Sequence, residues 1–238
     1  MLVQLPESRI ARPRKRRRVQ LAPAFVQDNE IGVAFNVPTQ AISYSSNVTA
    51  GDLLVYFHYP NNNSSTISIA DTIGNSWTQA GSTATTGINV FTAWYAISIA
   101  SGANTVTGTF SANDAFGNIV IAEYSGVSHT SPFDAYAGNF YAAGSTNPIS
   151  SGNLTTTAAG DLLVAYFFDQ GQGLVTGTAY GINVRTTWQA ATIGEGDGIA
   201  ASIGAHAAQA TASLTGTVQL ATCVAFKAAT NPRFAQLP

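Results

Sequence analysis

Charge is scarce in this chain. Asp, Glu, Lys and Arg together make up 9% of the 238 residues, against roughly a quarter in ordinary soluble domains. Disorder does not follow, because 45% of the residues are hydrophobic and 10% aromatic, enough for a large core. Gly, Ala, Ser, Thr and Asn stand where charges usually do, so the surface is expected to be coated with hydroxyls and amides. Cysteine is nearly absent. The single Cys223 excludes an intrachain disulfide, and within Leu220-Ala221-Thr222-Cys223-Val224-Ala225-Phe226 it reads as a small buried hydrophobe on a strand. Neither Cys223 nor the three histidines, His58, His129 and His206, show ligand spacing, so no metal and no other cofactor is expected. No apolar run approaches the roughly 18–20 residues of a membrane span. The stretch from Val19 to Val26 is too short, and too broken by Gln20 and Pro23, to act as a secretory or twin-arginine signal. A Ser-His-Asp order, a nucleophile elbow and a phosphate loop are all missing, and the chain is not expected to be an enzyme.

The charge that exists is segregated. Arg9, Arg12, Arg14, Lys15, Arg16, Arg17 and Arg18 are seven of the ten basic residues, and Glu7 is the only acid among the first 18 positions, a net of +6. The other 220 residues hold three basic and eleven acidic side chains, a net of −8. Pro6, Pro13 and Pro23 disfavour a continuous helix, so residues 1–30 are expected to form an extended basic arm. Such an arm can neutralise nucleic-acid phosphates. It can equally lie on an acidic protein surface, which a second copy of the −8 body would supply, and a localisation peptide would look the same.

From residue 31 to 238 the signal is all-β. Turns rich in Gly, Asn and Ser recur every 8–12 residues, as in a sandwich or barrel. Residues 89–98, 104–110 and 118–124 read as strands. The phrase Ala50-Gly51-Asp52-Leu53-Leu54-Val55 returns as Ala159-Gly160-Asp161-Leu162-Leu163-Val164, 109 positions on. Each copy reads as a turn feeding a strand buried on both faces. Trp77-Thr78-Gln79-Ala80 and Trp188-Gln189-Ala190 give a second landmark at nearly the same period, and Thr107-Gly108-Thr109 with Thr215-Gly216-Thr217 a third. The fold expected is a jelly-roll-like antiparallel β-sandwich with pseudo-repeat halves at about 40–128 and 150–228. The halves are either two small sandwiches or one interleaved unit, and the absence of a strong break between 133 and 151 favours one unit.

Chemistry-bearing residues are few. Asp52 and Asp161 invite a paired-carboxylate reading, but a residue repeated with its turn is expected to serve that turn. Glu123 is the only other candidate acid. Gly194-Glu195-Gly196-Asp197-Gly198 lacks the ligand count of a calcium loop and reads as a flexible hairpin tip. Tyr56, Tyr59, Trp94 and Tyr95 belong to the densest aromatic group and are the candidates for stacking on a sugar, although strand alternation sends about half of such a group into the core.

The set Ala50 to Val55, Asp71-Thr72-Ile73-Gly74-Asn75-Ser76-Trp77, Ile121-Ala122-Glu123-Tyr124-Ser125-Gly126-Val127 and Leu154 to Val164 resembles a widespread β-sandwich domain of bacterial surface proteins and tailed-phage virion proteins. The resemblance spans about residues 40–228, leaves out the arm and carries no catalytic residue. The layout, a basic arm ahead of a jelly roll, is also similar to that of small icosahedral virus coat proteins, whose arms bind the genome. These resemblances imply a structural virion protein: a capsid decoration or accessory subunit assembled in a host cytoplasm. Its arm would contact a major capsid protein, further copies of itself as a homo-oligomer, or nucleic acid. Electrostatic complementarity between arm and acidic bodies would set the register. A secreted or surface carbohydrate-binding module is the alternative, and a coat protein with a genome-binding arm the second.

Overall fold

Strand follows strand, and no helix occurs among the described residues. The computed structural model describes residues 19–34, 36–60, 64–85, 90–114, 117–142, 147–189, 192–213 and 218–231. The first half contains β1 (Val19–Gln20), β2 (Ala24–Gly32), β3 (Val37–Ser43), β4 (Leu53–Tyr59), β5 (Thr66–Asp71), β6 (Thr78–Ala84), β7 (Val90–Ile97), β8 (Thr105–Asp114) and β9 (Asn118–Ser125). The second contains β10 (Phe133–Tyr141), β11 (Ile149–Ser150), β12 (Leu154–Thr156), β13 (Leu162–Asp169), β14 (Gly177–Ala179), β15 (Ile182–Trp188), β16 (Ile193–Ile199), β17 (Gly204–His206), β18 (Gln209–Ala210), β19 (Gln219–Phe226) and β20 (Thr230–Asn231). Each pairing between strands is antiparallel, and β1 with β20 brings the two ends of the described chain together.

Two large sheets form the centre. One has the order β2-β9-β4-β7-β6, the other β10-β19-β13-β16-β15-β14. The sheet β3-β8-β5 covers the outer face of the first, and the short pairs β11-β18 and β12-β17 cover the outer face of the second. Four layers enclose three apolar cores. Leu54, Tyr56, Ile119 and Ile121 point outward to Ile42, Val106 and Phe110. Leu163, Phe167, Ala221 and Cys223 point outward to Ile149, Leu154, Ala208 and Ala210. Between the large sheets, Leu53, Val55, Phe57 and Ala122 meet Leu162, Val164, Tyr166 and Val224. This explains the unbroken apolar runs of the repeated phrase: β4 and β13 each have a core on either side, so neither face can be polar. Each half thus builds its own sandwich, and the two sandwiches share a third core.

Strand pairing in the first half is nested. Of the eight strands from β2 to β9, the first pairs with the eighth, the second with the seventh and the third with the sixth. A jelly roll continues with fourth on fifth; here β6 joins β7 instead. The order β10-β19-β13-β16-β15 repeats β2-β9-β4-β7-β6 strand for strand. The turns repeat too. Gly51 and Gly160 take φ of 90° and 85°, and each donates its N–H to the strand alongside, at Ser98 and Ala200. Only a residue without Cβ adopts that conformation cheaply. The Trp landmark does not repeat: Trp77 precedes β6, whereas Trp188 ends β15. The third landmark, at 215–217, lies outside the described residues.

An approximate two-fold axis relates the halves. Phe57 lies 5.9 Å from Tyr166 and Tyr59 lies 4.0 Å from Phe168, ring centroid to centroid, so β4 and β13 face each other and run in the same direction. On one side of them Tyr124 of β9 meets Glu195 of β16, and Asp28 of β2 meets Thr186 of β15. On the other side Tyr95 of β7 meets Phe226 of β19, and Thr83 of β6 meets Tyr136 of β10. Every strand therefore faces the counterpart of its own partner, the pattern of an isologous dimer contact contained within one chain.

The stretch 194–198 departs from expectation. It is not a hairpin tip but the middle of β16, bonded to β13 on one side and β15 on the other. Its glycines occupy one face, and at two of them no side chain fits. A Cβ on Gly196 would stand 2.7 Å from the Asn183 carbonyl oxygen, and one on Gly198 would stand 2.2 Å from that of Gly181. Glu195 and Asp197 occupy the opposite face, against the other half.

Candidate functional site

The candidate residues of the arm, Arg9, Arg12, Arg14, Lys15, Arg16, Arg17 and Arg18, lie outside the described residues. The acids proposed to receive them are described. All eleven acids of the body are described and none is exposed. Asp114, Glu123, Asp161, Asp169, Glu195 and Asp197 are buried, and Asp28, Glu30, Asp52, Asp71 and Asp134 are half-buried. The −8 of the body is thus carried by buried and half-buried carboxylates, and a second copy offers the arm no fully exposed acid.

The aromatic group does not form a sugar platform either. Tyr56 is fully buried, with its hydroxyl 3.3 Å from Thr66 Oγ1. Tyr59 stacks on Phe168 in the core between the halves. Tyr95 lies against Phe133 and Phe226 in that same core. Trp94 packs half-buried against the outer core of the first half. The apolar runs place all four in or beside cores, because those strands have no solvent face.

Five polar sites stand out among the described residues. Asp71 gathers a turn: its carboxylate accepts from the Gly74 and Asn75 N–H groups at 2.8 and 2.9 Å and from the Asn75, Asn104 and Trp77 side chains. These donors hold its pKa below the ordinary value despite burial. His58 forms a buried relay. Its Nε2 donates to Asp114 at 2.8 Å, which leaves Nδ1 to accept from Thr66 Oγ1 at 2.8 Å. The ring stacks on Phe110 at 4.6 Å, and burial lowers its pKa. The order Thr-His-Asp is that of a nucleophilic relay, but His58, Asp114 and Thr66 are all buried, so the hydroxyl has no open approach. Sequence reading missed it because the three residues are spread over 56 positions and three strands.

The repeated aspartates each meet a second carboxylate, by different routes. Asp52 lies beside Glu123, which accepts from Gln27 at 2.5 Å and from the Thr49 N–H at 2.7 Å. Burial and the Glu123 charge raise Asp52 to about 6. Asp161 lies beside Asp134, which is held by two 2.6 Å bonds from Thr157 and by Lys227 at 3.7 Å. Burial and Asp134 raise Asp161 to about 6 as well. The two aspartates are too far apart in role and partner to act as a catalytic pair. Among the described residues, no three His, Cys, Asp or Glu side chains are grouped to hold a metal ion. Cys223 is buried, and burial pushes its thiol up.

The fifth site is the largest, and it lies on one side of the two-fold axis. Tyr124 donates its hydroxyl to Glu195. Arg185 grips Asp197 through Nε and through a 2.7 Å bond from Nη2, and its guanidinium lies 4.5 Å from the centre of the Phe25 ring. Thr186 donates to Asp28 at 2.8 Å, and further out Gln189 donates to Glu30 at 2.7 Å. Strand register identifies the counterparts on the other side: Phe226 for Tyr124, Ala93 for Glu195, Tyr95 for Asp197, Ala80 for Arg185, Gly81 for Thr186, Tyr136 for Asp28 and Phe133 for Phe25. Arg185 and Ala80 even share a β-bulge. One corner is ionic and the other apolar. Burial raises Glu195 to about 8, with the Asp197 and Asp28 charges adding to the rise, and raises Asp28 as well. No protein-family model, no curated protein and no solved structure matches the chain.

Proposed function

We propose that the chain is a structural virion protein, a capsid decoration or accessory subunit of a tailed phage, and that it works by surface contact rather than by catalysis. The observation that carries this reading is the disposition of charge. The body keeps all eleven of its carboxylates out of full solvent contact beneath a hydroxyl- and amide-rich surface, while seven of the ten cations are collected in residues 9–18. A body of packed sheets with no fully exposed carboxylate suits contact over a broad area, and a cationic segment ahead of it suits anchoring. Deleting residues 1–18 tests the reading. The truncated protein is expected to fold and to lose its place on the particle, and full occupancy without the segment would remove the anchoring role.

A second reading, a coat protein whose arm binds the packaged genome, is favoured by the inward turn of the carboxylates, since nucleic acid then supplies the anion that a second copy does not. Binding of the full chain to single-stranded nucleic acid would then weaken steeply with salt, by roughly 0.7 in log K per log unit of salt for each phosphate contact. No binding at low salt would eliminate it and leave a protein partner.

A further inference from the structure

The ionic corner holds one group that its surroundings do not complete. Glu195 is fully buried; one of its oxygens takes the Tyr124 hydroxyl, and Oε2 has no hydrogen-bond partner among the described residues. The groups around it come from every strand that packs there. Strand β9 brings Tyr124, and β2 brings Asp28, with Glu30 further out. Strand β15 brings Arg185, β16 itself brings Asp197, and the paired strand β13 brings Tyr166, whose hydroxyl is already given to Asn118 at 2.6 Å. The only cation in the set is committed to Asp197. An ionised Glu195, itself fully buried, would therefore join the Asp28 and Asp197 carboxylates with one guanidinium among them. Protonated, it is neutral and fits.

We infer that this corner is a proton-operated latch: with Glu195 protonated the two halves close on it, and loss of that proton loosens the β2–β15 edge while the apolar β6–β10 edge holds. The fold does not require the acid, because the equivalent position is Ala93 and closes on Phe226. The direction follows from linkage. The closed form holds the proton up to about pH 8, whereas an opened, solvated glutamate releases it near its ordinary value. Opening therefore becomes easier as pH rises between those two values and levels off above the upper one.

Hydrogen–deuterium exchange of the full chain from pH 5 to 9 tests the latch, read as the rate in β2 and β15 divided by the rate in β6 and β10. The quotient cancels the intrinsic pH dependence of exchange. It is expected to climb by up to about tenfold per pH unit between pH 5 and 8 and then to flatten. Glu195→Gln should hold it level towards pH 8, where the wild type still climbs. A quotient that stays constant in the wild type, or climbs equally in Glu195→Gln, overturns the latch. If that variant does not fold, carbon NMR of the Glu195 carboxyl in the wild type decides: a midpoint near 8 supports the latch, and one near 4–5 overturns it.

Discussion

The two corners of the interface between the halves are one packing problem solved twice. Both join the strand that opens one half to a bulged strand of the other, with the same register and the same approach. At one corner Tyr136 lies over Gly81, so close that a Cβ there would stand 2.3 Å from the ring, and Tyr95 fills the space against Phe133 and Phe226. At the other corner Asp28, Arg185, Glu195, Asp197 and Tyr124 fill that space with ions and hydrogen bonds. Well-packed apolar groups usually match or exceed a buried ionic network in stability. The apolar corner shows that this fold has access to that solution. The ionic one is therefore retained at some cost in stability, which is the argument for giving it a role.

The largest effect is expected from forcing the ionic solution on the apolar corner. Ala93→Glu would bury a carboxyl opposite Phe226, which has no hydroxyl to give, with no arginine near among the described residues. It should lower unfolding stability by about 4 kcal/mol at neutral pH, measured by urea denaturation. A loss below about 1 kcal/mol would mean that the corners tolerate charge equally and that the comparison carries no weight. Next comes Arg185→Ala, which strands Asp197 at a site where the carboxylate is only 9% exposed. A loss of about 3 kcal/mol is expected, together with reduced protection of β2 as the cover over Phe25 is lost. Glu195→Gln works in the other direction. Because the folded state raises this carboxyl, wild-type stability falls as pH climbs from the ordinary glutamate value towards 8. The variant escapes that loss. It should nearly match the wild type near pH 5 and exceed it by about 3 kcal/mol at pH 8; an equal difference at both pH values would contradict the sign.

The sequence made the apolar half of this contrast legible and hid the ionic half. Runs such as Leu53 to Phe57 and Leu162 to Phe167 can only be strands with cores on both faces, and their repetition with the preceding Ala-Gly-Asp marks the two halves. The all-β fold and its sandwich layers follow from that. Composition could not reveal β16. Gly-Glu-Gly-Asp-Gly has the look of a solvated loop, since glycine lowers strand propensity and acids seek water. Only the closeness of the Gly181 and Asn183 carbonyls makes Gly198 and Gly196 necessary, and only tertiary structure gives the acids partners, Tyr124 of the other half for Glu195 and Arg185 of the neighbouring strand for Asp197. The net charge misled in the same way: −8 over 220 residues suggests an acidic surface until burial is known. The Trp repeat misled because a chemical match at the expected period says nothing about register, and Trp188 pairs where Thr83 does, not where Trp77 stands.

The smallest effect is also the most selective, because it removes one atom. Tyr124 and Phe226 occupy equivalent places and differ by a hydroxyl, and that hydroxyl is given to Glu195. Tyr124→Phe makes the two corners identical at this position while leaving every ring contact in place, including the edge-on contact with Phe25 at 5.8 Å. The cost should be about 1 kcal/mol at pH 5, where the acid is neutral and loses a single hydrogen bond. It should grow towards pH 8, because an ionising Glu195 would then have no donor on either oxygen. A phenolic donor that served packing alone would give the same loss at both pH values. The pH dependence of this one-atom change therefore separates a tyrosine that completes the core from one that serves the proton on Glu195.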